Sequence, residues 1–549
     1  MTSLAGMFYI MSMYFYLRAR TTGKRGRNAL FLFLCFITFA MALGSKENTA
    51  MLPLSLIIYE ILLIQEDRGR FLKKNITGIF IVFGAALLLG LMYLYYKGGN
   101  IFSFMAGYGE RPFSLAQRLL TEPRIIIFYV SLLLYPVPNR FSIAHAINTS
   151  TSLFSPLSTL FSWLFIVGFS AYLILRARKH PLFSFCFLFF FVNHLIESTI
   201  IPLELIFEHR NYLPSMLFFA PFAIGFFNLL ERYKKSKTMV AVLSVSMIFL
   251  LIGIGHATFI RNFTWKNGKS LWSDVARKAP DQFRAHHNLG VYYENHGYEE
   301  QAIIEYEKAL NTPVFHRKNE ENYYHIGKLY DKLKNYEEAR SFYEKAVRIK
   351  PDFSYALNRL ALIYDREGNA DLVKHYLGRA ITANPGDPYI NFNMGIYYLK
   401  NKRPEKAIHH LNISTGHEAL KARALLYSGV ACKQGGWLGR AVAYFQESLK
   451  IDHNNITPRL HLAAIYSITG HEAMAGQESR KIVELIIQNK NLLDQIMDLV
   501  VKKGNLGTVM LPKTIILPLL SKACSDKSKT SNEWEGHVKR TLEKETRIK

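Results

Sequence analysis

The chain has 549 residues, with 67 Lys and Arg against 42 Asp and Glu, a formal charge of +25. That length admits two or more domains. The charge excess does not point to nucleic acid, because much of it sits in short basic runs between apolar stretches, as in cytoplasmic membrane loops. Cys35, Cys186, Cys432 and Cys524 are isolated from one another, so there is no zinc spacing and no disulfide framework.

In chain order, apolar stretches lie at about 1–17, 28–44, 48–64, 76–96, 155–175, 182–203, 212–230 and 238–259. Inside a bilayer every backbone N–H and C=O must be satisfied within the segment, so these are expected to be helices. The first run, Leu4 to Leu17, is short for a span of about 20 residues, so the start reads as truncated. A shorter stretch at 124–138 ends in Pro136 and Pro138 and is expected to be re-entrant or interfacial. Basic loops at 18–27, 68–74, 176–179 and 232–237 set the orientation, since Lys and Arg stay cytoplasmic. All four face inward only if 124–138 does not cross. The turn at Ser45–Asn48, the loop 97–154, the Glu208-His209-Arg210 loop and the whole C-terminal half then share the opposite, non-cytoplasmic face.

Beyond about residue 260 charged residues return, and a period of 34 appears. A small residue recurs at Gly290, Gly327, Ala361, Gly395, Gly429 and Ala463, with three extra residues in the first interval. Three residues later stand Tyr293, Tyr330, Tyr364, Tyr398, Cys432 and Tyr466, and twelve later Ala302, Ala339, Val373, Ala407, Ala441 and Ala475. Pro313, Pro351 and Pro385 follow as helix stops. Thirty-four is the length of the tetratricopeptide repeat, and stacked repeats form a solenoid whose groove takes peptides or extended chains. A rigid spacer is the plainer alternative. The pairs His286-His287 and His409-His410 are expected to be surface or packing residues rather than metal ligands, because adjacent helical positions face different ways. The expected organisation is all-α: a polytopic transmembrane helix bundle over 1–260, a linker over 261–282, about six repeats over 283–484, and a capping helix with a polar tail over 485–549.

Three strings carry a further reading: Ser45-Lys46-Glu47 followed by Leu52-Pro53; Glu208-His209-Arg210-Asn211-Tyr212-Leu213-Pro214; and, before the repeats, Arg261-Asn262, Trp265, Leu271-Trp272, Pro280 and Arg284 to Gly290. In this order they resemble the transmembrane and tetratricopeptide repeat-containing glycosyltransferase family, over about residues 1 to 480. The resemblance implies a GT-C-like bundle. It implies transfer of a sugar, mannose in the animal members, from a polyprenyl-phosphate lipid to protein hydroxyls on the lumenal or periplasmic side. No cofactor is implied beyond that lipid-linked donor, and the partners are membrane lipid and an acceptor protein in the repeat groove. The family's acidic pair, one member acting as general base, belongs to an outer loop preceding the helix with which this sequence begins. A non-catalytic, membrane-anchored scaffold is therefore the alternative expectation. A bacterial inner membrane, with the repeats in the periplasm, is the expected location.

In such a transfer a phosphate leaves, and cationic donors in a water-poor site stabilise it. Arg suits phosphate because its fork bonds two oxygens. Arg210 and Lys46 are the candidates for that role, each also readable as an interfacial anchor that snorkels to the headgroups. Glu47 and Glu208 are candidates to hold a neighbouring base or contact the sugar, and His209 to donate to phosphate or sugar. His194 and Glu197, three apart within an apolar span, are expected to share one helix face and may be read as satisfying each other or as functional. Arg111, Arg124 and Arg140 are candidate phosphate or headgroup contacts.

Overall fold

The computed structural model describes residues 2–488 except 24, 68, 72–73, 76, 78–95, 97–102, 146, 199 and 313–318. The apolar stretch expected at 76–96, Pro313, Cys524 and the tail from 489 onward lie outside the described residues. Every regular element among the described residues is helical, and the chain divides into two compact units, Met1–Arg317 and Lys318–Lys549.

Among the described residues of the first unit, five helical segments are long and apolar enough to cross a membrane: Gly26–Ser45, Glu47–Ile64, Ser158–Arg176, Pro214–Arg232 and Lys237–Thr264. The second of these changes pitch twice, from a 3-10 turn at Glu47–Met51 to an α-helix at Leu52–Tyr59 and a π-turn at Glu60–Ile64. The π-turn sits where Glu60, 3% exposed, meets Arg20 at 2.6 Å, the Tyr16 hydroxyl at 3.0 Å and the Gln65 amide at 2.5 Å. Buried carboxylates persist only when paired and hydrogen-bonded in this way. The N-terminal helix, Thr2–Thr21, packs on Arg25–Ser45 and is fastened by the Tyr9 hydroxyl, which lies 2.7 Å from the Ser55 hydroxyl and 2.9 Å from Asn193 Oδ1. Two aromatic-rich cores form around Tyr129, Phe187, Phe190 and Phe218, and around Tyr9, Leu52, Phe185 and Phe189.

Two expectations need correction. The stretch read as a span over 182–203 is a helix only at Pro181–His194, 14 residues, shorter than the length needed to cross. His194 and Glu197 therefore do not share a helix face. The stretch read as short at 124–138 belongs to a 20-residue helix, Leu115–Leu134. It begins earlier because Ser114 caps it, accepting from the Gln117 N–H while Gln117 Oε1 accepts from the Ser114 N–H. Pro123 is tolerated within it.

Residues 261–282 contain the helix Gly268–Lys278, fixed by Asp274, which pairs with Arg261 at 2.8 Å, Arg277 at 2.8 Å and Lys278 at 2.6 Å. Burial pushes the Asp274 carboxyl up, but these cations more than offset it and hold it below the usual aspartate range. Lys278 also donates to the Pro138 and Phe141 carbonyls, tying this helix to the loop 135–157.

Each repeat is a pair of antiparallel helices, beginning with Phe283–Asn295 and Glu299–Leu310 and ending with Ile456–Ile468 and Glu472–Gln488. The small residue recurs because the next helix leaves no room for more. A Cβ at Gly290 would meet Tyr306 at 2.8 Å, at Gly327 Tyr343 at 2.8 Å, at Gly395 Leu411 at 2.6 Å and at Gly429 Phe445 at 2.6 Å, each sixteen residues on. The residues twelve on, from Ala302 to Ala475, are all buried. The turn joining the two helices repeats a left-handed residue: Gly297, Lys334, Gly368, Lys402, Gly436 and Gly470. In the second unit a ladder links residues 35 apart: Asp331 to Arg366 at 2.8 Å, Asp365 to Lys400 at 3.0 Å, and Asn358 to Asn393 at 2.9 Å.

Candidate functional site

The backbone from Glu197 to Phe207 leaves the helix Pro181–His194 without regular structure, so its carbonyls need other donors. Arginines from elsewhere in the chain supply them. Arg118, fully buried, donates to the carbonyls of Glu197 and Leu203, both at 2.5 Å, and pairs with Glu122 at 2.8 Å. Arg111 donates to the Pro202 carbonyl at 3.0 Å and pairs with the Glu204 carboxylate. Arg210 donates to the Glu204 carbonyl at 2.5 Å. The Tyr129 hydroxyl donates to the Phe207 carbonyl and accepts from the Phe207 N–H, both at 2.9 Å.

That clamped segment presents Glu197 to two cations from distant parts of the chain. Lys46 Nζ lies 3.5 Å from one carboxylate oxygen and Arg210 Nε 3.4 Å from the other. All three side chains are 15% exposed or less. Two cations share the Glu197 carboxylate, and the exposed Glu47 carboxylate also acts on it. Among the described residues, Lys46 Nζ, Asn48 Oδ1, His194 Nε2 and Asn211 Oδ1 are buried without a hydrogen bond of ordinary geometry, although the His194 and Asn211 side chains interact. Buried polar atoms are seldom left so.

Of the residues the sequence singled out, Lys46 and Arg210 are brought together. Glu47 is exposed, at the start of the 3-10 turn Glu47–Met51. Glu208, His209 and Arg210 leave a single 3-10 turn, Glu208–Asn211, in three directions. Glu208 turns to the loop 135–157, where its Oε1 accepts from the Ser142 N–H at 2.6 Å and meets His145 Nε2 at 2.9 Å. His209 stacks on Phe207, with ring centroids 5.2 Å apart. Burial pulls the His209 imidazole below its usual pKa, and the charges of Lys46 and Arg210 lower it further, so it is neutral at neutral pH. Phe207 also carries the guanidinium of Arg210 at 5.0 Å and that of Arg284, on the first repeat helix, at 5.9 Å.

His194 stacks on Tyr129 at 5.4 Å, while Glu197 turns to Lys46 and Arg210; the two do not satisfy each other. Arg111 is committed to Glu204 and Pro202, Arg124 to the Asn148 carbonyl and Ser150 Oγ, and Arg140 to Ser131 and the Tyr135 carbonyl. These three arginines hold the fold rather than stand open to a ligand. The sequence reading passed over Arg118, Glu122, Glu204 and His145. Arg118 and Glu122, four apart on one helix, were the visible signal, since such a pair in an apolar context has to be buried or bound. Among the described residues no group of three or more His, Cys, Asp or Glu is arranged to hold a metal ion. In the histidine pairs, His286 bonds Glu305 at 2.7 Å and His410 bonds Asn391 at 2.8 Å, while His409 is exposed.

Comparison with known proteins bears on the second half. Tetratricopeptide-repeat family models match residues 283–312, 320–353 and 392–456. The C-terminal half carries tetratricopeptide repeats. Solved structures similar to it include YrrB, described as a tetratricopeptide-repeat protein with an unusual peptide-binding site, at 19% identity and TM-score 0.29, covering 34% of this chain and 95% of that one. PilW, described as a type IV pilus biogenesis factor, aligns at 20% identity and TM-score 0.34, covering 39% and 98%. The C-terminal part of a repeat-containing protein from Cytophaga hutchinsonii aligns at 17% identity and TM-score 0.35, covering 42% and 96%. No curated protein matches the chain.

Proposed function

We propose that the chain is a membrane glycosyltransferase that moves a sugar from a polyprenyl-phosphate donor to protein hydroxyls, with the repeats holding the acceptor protein. Tetratricopeptide repeats serve as protein-interaction scaffolds, and the chain also has helices apolar enough to cross a membrane. The observation that carries this reading is the meeting of Lys46 and Arg210, 164 positions apart, on the single carboxylate of Glu197. Those two residues come from two of the three strings that resemble the glycosyltransferase family. Two buried cations, an arginine fork among them, suit a phosphate monoester or diester. The same reading assigns the bundle to a cell inner membrane, with the repeats on the periplasmic side.

The test is sugar transfer by the purified full chain from a polyprenyl-phosphate sugar to a protein acceptor. Arg210→Ala is expected to lower the rate about 10²–10³-fold, the loss typical of removing one charge-stabilising donor. Transfer unchanged in that variant overturns the site assignment. A second reading, a membrane-anchored scaffold without catalysis, is favoured by the repeats alone. It predicts no transfer by the wild-type chain and retained capture of a protein partner.

A further inference from the structure

The buried acids of the apolar half are held in two ways. Glu60 and Glu122 are held closely: Arg20 meets the first at 2.6 Å and Arg118 the second at 2.8 Å, the lengths of charge-assisted hydrogen bonds. Glu197 is held loosely. Its two oxygens stand 3.5 Å from Lys46 Nζ and 3.4 Å from Arg210 Nε, beyond that range, although its side chain is only 8% exposed. A carboxylate between two buried cations at such distances fills the place of an anion without being locked into it.

Charge decides what can enter that place. Lys46 and Arg210 face Glu197, and the carboxylate of Glu47 acts on it from the adjoining 3-10 turn. From the helix Leu115–Leu134, Glu122 acts on Glu197 but is itself paired with Arg118, and Tyr129 stands in the field of both acids. His209, neutral, faces Lys46 and Arg210, and His194 faces Arg210 while stacking on Tyr129. The two cations are thus matched by the carboxylates of Glu197 and Glu47. A phosphate between Lys46 and Arg210 adds a further negative charge in a water-poor site, where like charges in contact cannot all ionise. The group that gives way is the one already between the cations. Burial pushes the Glu197 carboxyl above its usual range, and an anion beside it pushes the same way.

We infer that Glu197 holds the place of the donor phosphate between Lys46 and Arg210, and that the donor enters as a phosphodiester anion together with one proton, which turns Glu197 from a competing acceptor into a hydrogen-bond donor to a phosphate oxygen. The proton comes from solvent, and no covalent bond of the donor changes in this step. The inference rests on the phosphate site of the glycosyltransferase reading, and its test separates the two. The probe is a polyprenyl-phosphate sugar, a diester without the second ionisation that a phosphate monoester has at about pH 6, so the ligand adds no titration of its own. Binding to the full chain in detergent is measured from about pH 6 to about pH 8, above the ordinary carboxylate value. Protons taken up are read by calorimetry in buffers of different ionisation enthalpy. Wild-type affinity is expected to fall as pH rises, approaching about tenfold per pH unit, the limit for one linked proton, with uptake approaching one proton per donor. Glu197→Gln, neutral throughout, is expected to bind independently of pH and at least as tightly as the wild type at the alkaline end. Should that variant not fold, His209→Asn decides: proton uptake retained there supports Glu197, and uptake lost there overturns the inference. Wild-type binding that weakens in Arg210→Ala yet takes up no proton and keeps one affinity across the range overturns the inference and leaves the phosphate site standing. A pH dependence that persists in Glu197→Gln also overturns it. A wild type that does not bind the donor overturns both.

Discussion

The two halves of the chain solve the same problem, packing helices, by opposite means. In the repeat half a small residue meets a large one sixteen positions on, again and again, as Gly290 meets Tyr306 and Gly429 meets Phe445. Its ion pairs are partly exposed and form a ladder, with Lys400 and Arg366 each more than a third exposed. In the apolar half the acids of these pairs are buried and no arrangement repeats: Glu60 with Arg20, Glu122 with Arg118, and Glu197 between Lys46 and Arg210. Repetition buys stability from shape, while a buried ion pair costs desolvation and contributes little net stability over an apolar pair of the same size. Buried charge concentrated on one segment, 197–210, therefore calls for a functional explanation more than the repeats do.

That contrast can be broken by substitution. The largest effect is expected at Glu197. Glu197→Ala leaves Lys46 and Arg210 buried without an acid, and thermal unfolding in detergent should show a loss of about 3–5 kcal/mol. A loss under about 1 kcal/mol would mean that the cluster is solvated like the repeat ladder. Next comes overpacking in the repeats: Gly429→Val should cost about 1–3 kcal/mol, because its side chain must displace Phe445. A neutral result would show that the two helices can separate there. Smaller, and opposite in sign, is Lys402→Gly. Lys402 occupies a left-handed turn, at φ 54°, that four of its five counterparts, Lys334 apart, fill with glycine. Removing the side chain should stabilise by about 1 kcal/mol, and destabilisation would contradict the strain assigned to that turn.

The smallest expected effect is in pH. The Asp274 carboxyl is held below its usual range by Lys278, Arg277 and Arg261 against the upward push of burial. Its stabilising contribution is complete above about pH 4, the unfolded value, and is lost as the pH falls through the lower folded value. Asp274→Asn should therefore weaken the fold near neutrality and flatten its loss of stability in acid. An acid limb identical to wild type would assign that limb to other carboxylates.

The repeat half was legible because its physics recurs. Close approach at Gly290, Gly327, Gly395 and Gly429 imposes a small residue at a fixed period, and a period is visible without structure. The left-handed turns at Lys334 and Lys402 were less visible, since lysine does not announce that conformation as glycine does. In the apolar half, composition marked helices but not their ends. The helix Pro181–His194 stops before Glu197 although the apolar run goes on past Pro202, and only the clamping of the 197–207 carbonyls by Arg111, Arg118 and Arg210 explains how the chain leaves the helix there. Lys46 and Arg210 were marked by their neighbours in sequence. Glu204 and His145 were not, because Arg111 lies 93 residues from the one and Glu208 63 from the other, with no period to reveal them.

The central claim is that Lys46 and Arg210 form a phosphate site, and equilibrium binding of a polyprenyl phosphate to the full chain in detergent tests it without depending on catalysis. Saturable binding that weakens tenfold or more in both Lys46→Ala and Arg210→Ala, each still folded, is the predicted result. Binding of equal strength in the wild type and both variants would contradict it.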